Sequence, residues 1–199
     1  MNRILFAVAA AAVFAGAASA ANPVVVMETS MGTIKIELFE DKAPNTVKNF
    51  LQYVDDKFYD GTIFHRVMGK ENSERDFMVQ GGGFTAAREE KKTRDAIKNE
   101  AGNGLSNAKY TLAMARTNNP DSATAQFFIN VTENKFLDKS ERSAGYAVFG
   151  KVIDGMDVVD KIKAVKTDTK TFTVRTGEKA EFPNAPVEEV VIKSVRRAK

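Results

Sequence analysis

Between Val24 and Val195 the chain falls into about eight short runs rich in β-branched and aromatic residues, with only two helix-like segments among them. That cadence limits the architecture more than any single residue does. Val24 to Glu28 is a β-rich run, and after Gly32 the residues Ile34, Ile36 and Leu38 alternate with Lys35 and Glu37. Alternation with period two marks a strand with one buried face. Met31 and Gly32 supply a turn between these runs, so the first two strands are predicted to form a hairpin. Further runs cover Ile63 to Met68, Phe77 to Gln80, Tyr110 to Ala115, Gln126 to Val131, Ala147 to Ile153 and Val187 to Val195. Pro44 suits a first helical turn, and Val47, Phe50, Leu51 and Val54 follow at i, i+3, i+4, i+7 spacing. Val158, Val159, Ile162 and Val165 predict a second amphipathic helix. Helices do not alternate with strands, which excludes a doubly wound sheet and leaves a mainly antiparallel barrel or sandwich with helices over its open ends. Two polar stretches, Ala86 to Glu100 and Lys166 to Glu181, carry too few apolar residues for a core element and are predicted to be surface loops.

Composition narrows the function classes. Hydrophobic residues at 43% and charged residues at 28% describe a soluble globule, which excludes bulk disorder. The chain has no cysteine, so disulfides, thiol nucleophiles and Cys-ligated zinc are excluded. A single histidine, His65, excludes multi-His metal centres, and no Ser, His and Asp arrangement for a hydrolase is legible. The net charge of +3 is scattered rather than blocked and gives no case for nucleic acid as a partner. Met1 to Arg3 is a short basic start, Ile4 to Ala17 an apolar run, and Ala18-Ser19-Ala20 a small-x-small site. Together they read as a secretory signal peptide cleaved after Ala20. A retained membrane anchor is the competing reading, but alanine is only weakly lipophilic. Residues 21–199 are thus expected to be one domain, periplasmic or otherwise secreted, with no stable membrane association.

The informative stretches are Phe64-His65-Arg66-Val67, Phe77-Met78-Val79-Gln80-Gly81-Gly82-Gly83-Phe84, Met114-Ala115-Arg116, Gln126-Phe127-Phe128-Ile129-Asn130, Phe136-Leu137 and Tyr146-Ala147-Val148-Phe149-Gly150. In this order the chain resembles the cyclophilin family of peptidyl-prolyl cis-trans isomerases, most closely the secreted bacterial branch, from about Val24 to Val195. The resemblance implies an eight-stranded antiparallel barrel capped by two α-helices, with a shallow outer groove that binds a proline-containing unfolded or extended polypeptide and needs neither cofactor nor metal. It also implies a prolyl pocket of Phe77, Met78, Phe128 and Leu137. Gln80 matches the glutamine that holds the substrate backbone and supports the arginine, Gln126 a second polar residue at the groove, and Ala115 and Arg116 the edge along which the peptide lies extended. Phe136 and Tyr146 stand where other family members often have Trp and His. Aromatic bulk is kept, but the indole donor is lost at Phe136, which implies at most weak binding of the family's inhibitor cyclosporin.

Chemistry assigns Arg66 a role of its own. Rotating a prolyl bond breaks amide resonance over a barrier of about 18–20 kcal/mol without making or cleaving a bond. In the twisted transition state the proline nitrogen regains a lone pair, so a fixed cation beside it helps there and little in the planar ground state. Arg66 is the expected donor, being always charged and rigidly forked. Strand parity places His65 on the opposite face, which predicts a structural histidine. The competing reading of the whole constellation is a non-catalytic proline-peptide-binding module or chaperone. Gly81 to Gly83 are read as a tight backbone turn, because no Lys-Ser or Lys-Thr follows to make a phosphate cradle. Finally, Gly69 to Asp76 insert about six residues between Arg66 and Phe77 where the family has a short turn. Their mixed polar composition predicts a water-exposed loop, with a contact for particular substrates or a partner as the alternative.

Overall fold

In a computed structural model that describes residues 21–198, the predicted strands close into a single barrel. Its strands are β1 (Val24–Thr29), β2 (Gly32–Leu38), β3 (Thr62–Met68), β4 (Met78–Thr85), β5 (Thr111–Met114), β6 (Phe127–Asn130), β7 (Val148–Asp154) and β10 (Val191–Arg197). They run in the spatial order β1-β10-β3-β4-β6-β5-β7-β2, and every pairing is antiparallel. The barrel alternative is therefore the one adopted, and the predicted β1–β2 hairpin forms with Val24 opposite Glu37 and Thr29 opposite Gly32. The signal-peptide reading of residues 1–20 lies outside the described residues.

Inward-facing residues fill the barrel: Met27, Ile34, Ile36, Leu112, Phe127, Ile129, Phe149 and Ile192 are all fully buried in one cluster. Helix α1 (Pro44–Asp55) adds Val47, Phe50, Leu51 and Val54 to it, and α2 (Met156–Lys163) adds Val158, Val159 and Ile162, as their spacing predicts, whereas Val165 lies beyond the end of α2 and packs on the core only partly buried. The N-cap residue of α1, Ala43, offers no side-chain acceptor. Glu100 supplies one from the distant polar stretch, its carboxylate accepting from the backbone N–H groups of Asn45 (3.2 Å) and Thr46 (2.8 Å) and from the Thr46 hydroxyl (2.7 Å). A carboxylate there satisfies orphan donors and complements the helix dipole. Glu100→Ala is expected to lower unfolding free energy by about 1–3 kcal/mol in urea titrations, the cost of removing a charged acceptor from partly buried donors.

The second polar stretch corrects the sequence reading. Lys166 to Glu181 is not a loop: it carries β8 (Thr167–Thr173) and the start of β9 (Lys179–Pro186), which pair as a two-stranded antiparallel sheet. Phe172 of this hairpin is fully buried with Phe84, Ile63 and Ala185 in a cluster on the outside of the barrel. Ala86 to Glu100 does remain largely irregular, though Ile97 packs on the core and Glu90 donates its backbone N–H to Thr173 O at 2.9 Å.

Candidate active site

Strands β4, β5 and β6 are buried on both faces, and that sets the site apart. Val79, Leu112, Phe127 and Ile129 point into the barrel, while Met78, Ala113 and Phe128 point out into a second apolar cluster with Leu137 and Val148. Outward residues of a barrel normally meet water, so an apolar outer face needs a cover or a ligand. Here it is walled by Phe77, Tyr146 and Ala115 and opens as a groove of about 190 Å³. Its lining is Arg66, Phe77, Met78, Gln80, Ala115, Arg116, Phe128, Leu137 and Tyr146. The volume is below the roughly 300–1,000 Å³ of drug-sized ligand sites and suits a small ring. A larger cleft of about 490 Å³ between Ser30 and Val187 contains none of the motif residues.

Two bulges aim the polar groups. Between the pairs Phe64–Gly81 and Arg66–Gln80 strand β3 carries one extra residue, His65. A bulge of this kind breaks alternation. Phe64 and Val67 both enter the barrel core, so His65 and Arg66 both lie outside it. The parity argument that set them on opposite faces is thereby corrected, although the two diverge along the surface. His65 is buried under the β8–β9 hairpin, its ring centroid 4.8 Å from that of Phe84, whereas Arg66 lines the groove. Desolvation, with the Arg66 charge second, pushes the His65 pKa down to about 3, and its Nδ1 has no hydrogen-bond partner among the described residues. It is a neutral packing residue.

The second bulge lies in the triple glycine, which is a register break within β4 rather than a turn. Gly82 has φ +83°, and a Cβ there would sit 2.9 Å from the rings of Phe127 and Tyr59. A Cβ on Gly83 would strike the Gln126 side chain at 2.6 Å, so this glycine makes room for the glutamine. Gln80 Nε2 donates to Gln126 Oε1 at 2.9 Å. Gln126 thus lies beside the groove, in a neighbouring depression shared with Ala115 and Arg116, rather than in its lining. Arg66 stands directly across the ladder from Gln80 but makes no hydrogen bond or salt bridge among the described residues. The expected support of the arginine by Gln80 is therefore limited to this cross-strand placement. Burial draws the Arg66 pKa below its ordinary value, yet a guanidinium stays charged at neutral pH.

Among known families, that of cyclophilin type peptidyl-prolyl cis-trans isomerase/CLD matches residues 24–197. The chain belongs to this family. A peptidyl-prolyl cis-trans isomerase of Acinetobacter baylyi is 55% identical to the cyclophilin described here over 181 residues, covering 90% of each chain. Peptidyl-prolyl cis-trans isomerase B of Escherichia coli is 52% identical over 174 residues, covering 86% of this chain and 97% of its own. In fold the cyclophilin matches the crystal structure of a cyclophilin type isomerase from Cryptosporidium parvum, determined in the presence of the dipeptide Ala-Pro. The TM-score is 0.68 at 24% identity, covering 88% of this chain and 99% of that one.

The rim of the cyclophilin groove holds the remaining expected residues. Arg116 lies over the Tyr146 ring, 4.3 Å from its centroid, and donates from Nε to Gly145 O at 3.1 Å. Phe136 is outside the groove lining, 57% exposed, with its ring stacked on Phe77 at 5.7 Å. Residues that sequence reasoning missed hold these walls. Asn134 donates to Phe77 O and to Asn130 Oδ1, both at 2.8 Å, and Asn130 in turn donates to Asn107 Oδ1 and Thr111 Oγ1. Asp138, next to Leu137, accepts from Ser106 and Asn107. The asparagines Asn107, Asn130 and Asn134 are buried, and that is the reverse of their usual preference. Asn130 and Asn134 lie in sequence between Phe128 and Leu137, and that proximity is the available signal; Asn107 has none in its own neighbourhood.

Proposed function

We propose that this cyclophilin catalyses cis-trans rotation of Xaa-Pro bonds in unfolded or extended polypeptides. The observation that carries the reading is the company of Arg66: an uncommitted guanidinium in the same small groove as Phe77, Met78, Phe128 and Leu137. The apolar residues would seat the prolyl ring, and Arg66 would donate to the proline nitrogen as the amide twists and its lone pair returns. Loss of charge separation in the twisted amide also favours an apolar wall. Gln80, held from one side by Gln126, has its Oε1 left for the substrate backbone. Ala115 and Arg116 would line the extended chain. The names of the A. baylyi and E. coli relatives, and the dipeptide present with the C. parvum protein, support the same substrate class. The test is catalysed exchange of an Ala-Pro peptide by purified residues 21–199. Binding without acceleration would instead support the non-catalytic module.

We further propose a periplasmic or otherwise secreted location, on the signal-like pattern of Met1 to Ala20. Sequencing the exported protein should find Ala21 at its start; a membrane-bound form retaining Met1 would contradict this. Cyclosporin binding is proposed to be weak, because Phe136 offers stacking but no N–H donor. Phe136→Trp is expected to tighten cyclosporin binding in calorimetry while peptide turnover changes less than about threefold. Unchanged affinity would count against the missing donor as the cause.

A further inference from the structure

The inserted segment Gly69 to Asp76 is only partly exposed: Lys70, Glu71, Glu74 and Arg75 face water, Asn72, Ser73 and Asp76 are half-buried and Gly69 is buried. Asn72 accepts from the Gly69 N–H at 2.9 Å and donates from its amide to Lys163 O (2.9 Å), at the end of α2, and to Val165 O (3.0 Å), just beyond it. Asp76 accepts from the Lys70 N–H at 2.7 Å and pairs with Lys163 at 3.0 Å. Ser73 closes the turn, its hydroxyl within hydrogen-bond distance of both Gly69 O (2.9 Å) and Arg75 O (2.7 Å), to one of which its single proton is donated. A segment pinned this way presents its side chains in one arrangement. The one it presents toward the groove is Arg75, whose guanidinium lies 5.3 Å from the Phe136 ring centroid. Phe136 in turn stacks on Phe77, a wall of the prolyl pocket.

Among the described residues Arg75 has no carboxylate partner. The arginines in salt bridges are Arg94, Arg196 and Arg197, and Arg75 makes none among the described residues. Asp76 beside it is taken by Lys163 and the Lys70 amide, and Glu74 makes no bond with it. A guanidinium placed over an aromatic ring without a carboxylate partner keeps N–H donors available, and these match a carboxylate in a fork. We propose that Arg75 and Phe136 form an additional subsite that selects substrates carrying Asp or Glu next to the proline, on the side that leaves the pocket over Phe136 and away from Ala115 and Arg116. The site is exposed, so the preference is modest and salt-sensitive. This proposal rests on the isomerase reading above.

The test compares Ala-Pro peptides with Glu or Gln placed either before or after the proline, measuring both affinity and kcat/KM. The wild-type protein should favour Glu over Gln by about three- to fivefold on one side of the proline only, and the preference should vanish at about 0.5 M salt. Arg75→Gln should abolish the preference and Arg75→Glu should reverse it, with turnover of the Gln peptides unchanged in both. Equal Glu-to-Gln ratios in wild type and both variants would overturn the subsite. Absence of turnover on every peptide would instead overturn the isomerase reading, and the affinity ratios would still decide the subsite.

Discussion

Arg66→Ala is expected to reduce kcat/KM on an Ala-Pro peptide by about 100- to 1,000-fold. Accelerating rotation by about four to five decades requires lowering the barrier by roughly 5.5–7 kcal/mol. A preorganised donor aimed at charge that develops in the transition state contributes about 3–4 kcal/mol of such a figure. The apolar pocket and backbone contacts supply the rest. The structure sharpens this expectation, because Arg66 makes no hydrogen bond or salt bridge to the protein among the described residues. Its removal therefore breaks no internal interaction of that kind, and melting temperature and peptide affinity should change little. Arg66→Lys should recover only part of the rate, since a point charge on a flexible stem lacks the fork. His65→Gln, one position away but outside the groove lining, should keep most of the activity if it folds.

The second large effect is on stability and comes from His65. Its native pKa of about 3 lies well below the roughly 6.5 of an exposed imidazole, through desolvation first and the neighbouring Arg66 charge second. Between these values the unfolded chain binds a proton that the native protein refuses. Stability is thus intact above about pH 6.5 and falls as pH is lowered, by about 1.4 kcal/mol per unit, or about 2.5 kcal/mol by pH 4.5. Asp55 and Asp60, whose pKa values are lowered first by hydrogen bonds from Arg197 and Arg196, act only below about pH 4 and do so in any His65 variant. Urea titrations of wild type and His65→Leu at pH 7.5, 5.5 and 4.5 should therefore diverge in slope, with the variant nearly flat. Parallel pH profiles would show that His65 is not the group responsible.

Much of the barrel is legible in the sequence because its signals are local. The alternation of Ile34, Ile36 and Leu38, the spacing of Val47, Phe50, Leu51 and Val54, and the ordered motifs each report on a few neighbouring residues. What stays hidden depends on contacts distant in sequence. The β8–β9 hairpin is masked because Phe172 is the one fully buried residue of β8 and because Pro183 and Pro186 in β9 argue against a strand, yet a two-stranded sheet has edges that tolerate proline. The bulge at His65 is invisible until the register of β3 on β4 is known. The composition of Gly69 to Asp76 gives the exposure of Lys70, Glu71, Glu74 and Arg75, but not the burial of Gly69 or the anchoring of Asn72 and Asp76, which find their partners on α2. Glu100 caps a helix more than fifty positions upstream, and nothing in its own neighbourhood reveals this.

Arg66 is proposed to act on the twisted amide rather than on binding. Exchange spectroscopy at near-saturating protein measures the interconversion rate of the bound cis and trans Ala-Pro peptide, separately from affinity. Rapid exchange is expected on wild-type residues 21–199 and a rate about 100-fold or more lower on Arg66→Ala, at a dissociation constant within about threefold. Equal bound-state rates in the two proteins, or a loss confined to affinity, would contradict it.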